Sequence, residues 1–200
     1  MSFARTVVHL AITVLGGSIA LAQGSSVDAT APGIALGYAQ LSGQSDLAAA
    51  IQNGDVNILA GPMPDGVNAM AYPAPQGCGG DPTKPAIILK SGSHPAEAGA
   101  AAVHEWVHLS NNHPPVNPED GPDAAQAFAC MEAEAHCAVL QSMLAFYLET
   151  GQGVPCWVRN KVILDYANSA HVCANGPGVA GPPAIPTCGG SNPQQIPCSG

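Results

Sequence analysis

Glycine and proline interrupt this chain so often that only a few long regular elements can form. Gly contributes 23 and Pro 19 of the 200 residues, without the strict period of a collagen-like repeat. Hydrophobic residues make up 46% and charged residues 10%, so the chain can bury a core and is not expected to be disordered. The sequence therefore predicts one compact domain in which extensive loops connect a few helices and strands.

The charge balance argues against nucleic acid as a partner. Five Lys and Arg stand against 14 Asp and Glu, which gives a net charge of -9. A protein of this sign repels phosphate backbones and anionic lipid surfaces. We therefore expect no nucleic-acid partner, and the sequence leaves the oligomeric state open.

The first 22 residues resemble an export signal. Arg5 precedes an apolar run over residues 7–21, and Ala20-Leu21-Ala22 has the small residues found at signal-peptidase cleavage sites. The run is shorter than the roughly 20 residues of a membrane-spanning helix, so we expect no stable membrane anchor. The mature protein is predicted to begin at Gln23 and to be secreted, into the periplasm or the extracellular space.

All seven cysteines follow this signal and would meet an oxidising compartment. They are Cys78, Cys130, Cys137, Cys156, Cys173, Cys188 and Cys198. An odd number allows at most three intramolecular disulfides and leaves one cysteine over. Pairing stays open, except that Cys130 and Cys137 would lie about 10 Å apart on one helix and cannot join each other. Cys188 and Cys198 in the C-terminal tail are candidate disulfide partners for these two cysteines.

Turn signals divide the chain into four segments. Residues 1–22 form the signal peptide, and residues 23–85 are predicted as a loop-rich N-terminal part with one or two strands. Residues 86–173 form the core, which opens with a strand at residues 86–90. Residues 174–200 form a Gly- and Pro-rich tail that contains cysteines.

Three helices are predicted within the core. The first runs from residue 95 to about residue 110, with Ser93 or His94 as its cap and a proline in its first turn. The second covers residues 122–150 and ends at a glycine-rich turn. The third covers residues 155–173 and is assigned to packing.

The segment His104-Glu105-Trp106-Val107-His108 on the first helix is the strongest chemical signal in the chain. His104 and His108 are one turn apart on one face, so both imidazoles can bind a single divalent ion. Glu105 lies about 100° round the helix, close enough to hold a water molecule on that ion. The alternative is a pair of surface histidines without a metal.

A catalytic zinc usually has three protein ligands, so a third must come from downstream. An extended pattern with a third histidine fails, because Asn111 and Pro114 occupy its glycine and histidine positions and His113 is one residue out of register. Asp120 or Asp123 is a second possibility, although either can simply favour the start of the next helix.

Helical angles favour Glu132 over Glu134 as the third ligand. At 100° per residue, Glu132 lies in the apolar stripe of the second helix, whereas Glu134 lies about 200° away on the predicted solvent face. A carboxylate in an apolar stripe is costly unless a positive charge meets it, and a zinc ion supplies that charge. His136 lies on the same helical face as Glu132. It could hydrogen-bond a metal ligand, or it could be a histidine packed in the core.

Together these residues resemble the gluzincin metallopeptidases, which carry His-Glu-x-x-His on one helix and Glu-x-x-Ala/Ser-Asp, or a close variant, on a later one. Here the second motif lies 24 residues after His108 and reads Glu132-Ala133-Glu134-Ala135-His136. The resemblance covers roughly residues 86–150, and His136 stands where an acidic or amide residue is common. It implies that zinc is bound by His104, His108 and Glu132 and that the general base is Glu105.

We therefore expect an α+β, zincin-like fold, in which a small β-sheet packs on the active-site helix and a second long helix supplies the glutamate ligand. The resemblance implies a secreted zinc metalloendopeptidase with a peptide or protein substrate. Glu105 would accept the proton of a water molecule that Zn²⁺ polarises. The donor that stabilises the oxyanion stays open among His113, Tyr147, Tyr166 and His171.

Two other interpretations remain. An exported, disulfide-stapled binding or envelope protein with a structural or vestigial zinc site suits the small size, which leaves little chain for a deep substrate cleft. A different hydrolase with the same metal site is also possible, because zinc does not by itself dictate an amide substrate.

Overall fold

The computed structural model describes residues 30–74, 80–180 and 185–199. Within these ranges the chain forms five α-helices and a small mixed sheet, which confirms the predicted α+β class. The predicted signal peptide, its cleavage site after residue 22, and Cys78 lie outside the described residues.

Two helices occupy the N-terminal segment, where the sequence predicts loops around strands. Helix α1 spans Ala31–Leu41 and helix α2 spans Ser45–Asn53. The residues that indicate loops stand instead at helix ends: Pro32 lies in the first turn of α1, and Gly54, with φ 68°, ends α2. The prediction of a loop-rich segment is therefore corrected to a pair of helices followed by strands.

The three main strands form one mixed sheet in the order β1-β3-β2, namely β1 (Asn57–Gly61), β2 (Ala69–Tyr72) and β3 (Ala86–Lys90). Central β3 runs parallel to β1 and antiparallel to β2. Its alanine, isoleucine and leucine side chains at 86, 87 and 89 are fully buried. Within the described sheet β2 is an edge strand, and the predicted strand at residues 86–90 is confirmed.

Three longer helices complete the core: α3 (Pro95–Ser110), α4 (Pro122–Thr150) and α5 (Cys156–Asn175). All three predicted helices are confirmed, with ends that differ by at most two residues. The His94 side chain caps α3 by accepting a backbone hydrogen bond. Gly151, with φ 70°, ends α4 in the left-handed conformation.

Helix α3 packs against four other elements of the fold. It packs against α1, against β2 and β3, and against α4, which in turn packs on α5. The largest fully buried side chains include Tyr38, Leu47, Ile87, Leu89, Leu140 and Met143. This packing places the helix with the histidine motif between the sheet and the helix that carries Glu132.

Three disulfides join the helices and the tail. They are Cys130–Cys173, Cys137–Cys188 and Cys156–Cys198. The first links α4 to α5, and the others attach the tail, whose strand β5 (Cys198–Ser199) also pairs with β4 (Val154–Pro155). Cys130 and Cys137 each have another partner, as helix geometry requires. Such cross-links indicate a protein that matures outside the reducing cytoplasm.

None of the described helices has an apolar stretch of the length that a bilayer demands.

Gly99 of α3 allows α1 to approach closely. A Cβ atom built on Gly99 would lie 2.6 Å from Cβ of Tyr38, whose buried ring stacks on Phe146 with 5.4 Å between centroids. We expect Gly99→Ala to lower the free energy of unfolding by about 1–3 kcal/mol, because overpacking outweighs the gain in helix propensity. Denaturant unfolding followed by circular dichroism measures this change.

Gly33→Ala in α1 is the matched control. Among the described residues, no atom beyond the neighbouring backbone of the same helix lies within 4 Å of a Cβ built on Gly33, so the alanine should raise the free energy of unfolding by up to about 1 kcal/mol. If Gly99→Ala unfolds at the same denaturant concentration as the wild type, the close contact between α1 and α3 is wrong.

Candidate metal centre

The three predicted ligands converge where α3 meets α4. The Nε2 atoms of His104 and His108 lie 3.1 Å apart. Glu132 reaches both, with one carboxylate oxygen 3.3 Å from Nε2 of His104 and the other 3.3 Å from Nε2 of His108. Only 21% of the Glu132 side chain is exposed. Two imidazole nitrogens and two carboxylate oxygens thus face one another in a largely enclosed space.

His136 lies beside this trio, one turn after Glu132 on α4. Its Nε2 is 3.6 Å from a carboxylate oxygen of Glu132, and its ring centroid is 4.5 Å from that of His104. The ligand atoms of His104, Glu132 and His136 all lie within 4.8 Å of one another, and this group could hold a metal ion. His108 is not part of that group, but its Nε2 contacts His104 at 3.1 Å and the other oxygen of Glu132 at 3.3 Å.

Glu132 is held as a charged acceptor. Burial would raise the pKa of Glu132, but hydrogen bonds and charge from His104 and His108 outweigh it and hold this pKa well below its usual range. A carboxylate oxygen and an imidazole lone pair are both acceptors, so each short contact needs a proton or a cation between them. Each of these contacts can therefore be bridged either by a proton on the histidine or by a cation between the two atoms.

The pKa values of His136 and His108, which both contact Glu132, shift in opposite directions. Burial, together with the charge of His104, lowers the pKa of His136 to about 4, so this ring is neutral at neutral pH. Burial also disfavours the charged form of His108, but the hydrogen bond and the charge of Glu132 outweigh it and raise the pKa of His108. A neutral imidazole is the form that binds a metal ion.

Glu105 lines the same cleft as His104 and Glu132. Burial raises the pKa of the Glu105 carboxyl, and this effect prevails over the charges of His104 and His108 and a hydrogen bond from the Ala71 backbone. A carboxylate with a raised pKa is a stronger base, which suits proton transfer. The structure places Glu105 beside the predicted ligands, as the sequence suggested.

A cleft of about 680 Å³ opens on the cluster, within the size range of ligand-binding sites. Strand β2 contributes residues 69–71 to its lining, and α5 contributes Val158, Lys161, Val162 and Asp165. The sequence assigns the third helix to packing alone, and this assignment is too narrow. Spacings of three and four residues put these side chains on one helical face, which is the signal that indicates a shared surface.

The remaining candidates lie apart from the cluster. Asp120 ends a short 3-10 helix and Asp123 lies in the first turn of α4, and neither belongs to the group of described ligand atoms. Tyr147, Tyr166 and His171 do not line the cleft. None of these residues is placed to bind the ion or to meet a substrate there.

His113, which the sequence excludes as a ligand, contacts His108, and Glu134 contacts His113 in turn. Nδ1 of His113 lies 2.9 Å from Nδ1 of His108, and Nε2 of His113 lies 3.3 Å from a carboxylate oxygen of Glu134. The Asn111 amide donates to the other oxygen of Glu134 at 2.7 Å. The Glu134 side chain is 57% exposed, which agrees with its predicted place on the solvent face of α4. Both of its carboxylate oxygens nevertheless contact protein side chains.

Comparison of the chain with protein-family models, with curated proteins and with solved structures found no match. The resemblance to the gluzincins therefore rests on the residues of the two motifs alone, which do not by themselves establish membership of that family.

Proposed function

We propose that this chain is a secreted zinc metallopeptidase that hydrolyses peptide bonds in the cleft between β2 and α5. The observation that carries the proposal is the convergence of His104, His108 and Glu132, whose ligand atoms lie 3.1 to 3.3 Å apart. When bound there, a zinc ion supplies a Lewis acid that activates water and polarises a carbonyl group.

The trio suits a tetrahedral ion. With zinc bonds of about 2.0–2.1 Å, neighbouring ligand atoms of a tetrahedron lie about 3.3 Å apart. The two Nε2 atoms lie 3.1 Å apart and each lies 3.3 Å from a different oxygen of Glu132, so each of these contacts is close to that length. Nε2 of His136 lies 3.6 Å from Glu132, farther than Nε2 of His104 or His108, so this proposal places His136 beside the trio. Three protein ligands leave one position open.

Glu105 is the proton acceptor in this proposal. It follows His104 on α3 and lines the cleft but lies outside the trio, so its carboxylate is not occupied by the ion. The Ala71 backbone lies close enough to Glu105 to favour its charged form. In this position Glu105 can take a proton from water and pass one to the leaving amine.

Strand β2 suits an extended peptide. It is an edge strand of the described sheet, and Ala69, Met70 and Ala71 line the cleft. An extended chain can pair with such an edge through main-chain hydrogen bonds, which bind a peptide with little demand on its sequence. Phe128 and Val158 add apolar surface for a substrate side chain.

Metal content and peptide cleavage test the proposal together. We expect the purified mature chain to hold one zinc ion per molecule by elemental analysis and to cleave an unstructured protein such as casein. A chelator should abolish cleavage and added zinc should restore it. Magnesium is the control cation, because it prefers oxygen ligands and should restore nothing.

Other outcomes would contradict specific parts of the proposal. A chain that binds no zinc contradicts the metal centre. A chain that holds zinc but cleaves nothing across a broad peptide library contradicts the peptidase and favours the exported binding or envelope protein. Hydrolysis of esters without peptides would favour a different hydrolase with the same metal site.

A further inference from the structure

The turn after α3 brings His113 against His108. Helix α3 ends at Ser110, and Asn112 has φ 50°, the left-handed conformation that reverses the chain. The His113 N–H then donates to the carbonyl oxygen of His108 at 3.0 Å, and the two ring centroids lie 5.0 Å apart. Only 12% of the His113 side chain is exposed, so the contact between the rings is protected from solvent.

Glu134 determines which nitrogen donates and which accepts in the contacts between Glu134, His113 and His108. Nε2 of His113 faces a carboxylate oxygen of Glu134 at 3.3 Å, and because an ionised carboxylate can only accept, this contact favours a proton on Nε2 of His113. A neutral His113 with its proton on Nε2 has a bare Nδ1, which must accept from Nδ1 of His108. His108 therefore carries a proton on Nδ1, and its Nε2 is the atom left to face His104 and Glu132.

We propose that Glu134 and His113 are positioning residues that hold His108 in the tautomer able to bind a metal ion through Nε2. The inference rests on the proposed metal site and deepens it. Asn111 supports the arrangement, because its amide occupies the second oxygen of Glu134. Hydrogen-bond partners of metal-binding histidines typically contribute about 10–100-fold to metal affinity.

His113→Ala tests this role in the full mature chain. We expect zinc affinity, measured by competition with a chelating dye, to fall by about 10–100-fold while the far-ultraviolet circular dichroism is unchanged. Glu134→Ala should act in the same direction. His113→Asn should recover part of the affinity, because Oδ1 of asparagine can take the place of Nδ1 as the acceptor.

Glu149→Ala is the matched control for Glu134→Ala. Glu149 is an exposed residue near the end of the same helix, so the variant removes the same charge far from His108. Its zinc affinity should equal that of the wild type. An equal loss in both glutamate variants would mean a general charge effect and would overturn the positioning role.

Nitrogen NMR of the zinc-free chain, labelled with ¹⁵N-histidine, reads the tautomers without the metal. We expect the proton shared by the two Nδ1 atoms to belong to His108, and His113 to carry its own proton on Nε2. A shared proton on His113, or wild-type zinc affinity in His113→Ala, would overturn the proposal. If the wild type binds no zinc but has these tautomers, the hydrogen-bond chain is supported and the metal site is wrong.

Discussion

Glu105→Gln is expected to lower the rate of peptide hydrolysis by about 10²–10⁴-fold, the usual contribution of a general base. Glutamine has nearly the same shape as glutamate but cannot take a proton from water. Because Glu105 lies outside the trio of His104, His108 and Glu132, the variant should keep its zinc. Measurement of kcat at saturating peptide and elemental analysis of the same sample separate the two effects.

Glu119→Gln is the control for this experiment. It makes the same chemical change in the exposed 3-10 helix that precedes α4, and it should leave both activity and zinc content unchanged. Full activity in Glu105→Gln would contradict the role of Glu105 as the base. Loss of zinc from Glu105→Gln would make the residue a ligand instead.

Loss of a residue that only hydrogen-bonds a metal ligand typically lowers metal affinity by roughly 10–100-fold. Glu132→Gln changes a proposed ligand itself, so it should lower zinc affinity by more than this and should abolish activity. The two oxygens of Glu132 contact both His104 and His108, so one substitution removes a ligand and the negative charge that offsets the cation. Competition with a chelator gives the affinity, and elemental analysis after dialysis gives the stoichiometry.

Glu149→Gln makes the same change near the exposed end of α4 and should bind zinc normally. Glu132 also belongs to the group with His104 and His136, so the expected result does not depend on which histidine completes the site. Zinc bound by Glu132→Gln as tightly as by the wild type would contradict both possible ligand sets.

The candidate site was accessible to sequence analysis because its residues lie on two long helices. Helical spacing alone puts His104 and His108 on one face, and the apolar stripe of α4 distinguishes Glu132 from Glu134. No loop conformation enters either step. The contacts from Glu132 to both histidines agree with that expectation.

Features that depend on contacts between distant segments could not be predicted in this way. Helix α1 contains glycine and proline, which indicate a loop, but burial of Tyr38 against Phe146 of α4 stabilises it as a helix. His113 falls outside the register of an extended zinc motif, and the left-handed Asn112 turns it back onto His108. Both outcomes follow from tertiary packing, which local periodicity does not encode.

Two disulfides fasten α4 on either side of Glu132. Cys130 is bound to Cys173 and Cys137 to Cys188, across 43 and 51 residues of chain. Covalent bonds therefore keep the acid in place whether or not an ion is present, unlike small zinc domains that unfold when the metal is removed. In the proposed metallopeptidase, the metal ion could therefore leave and be replaced without unfolding of the site.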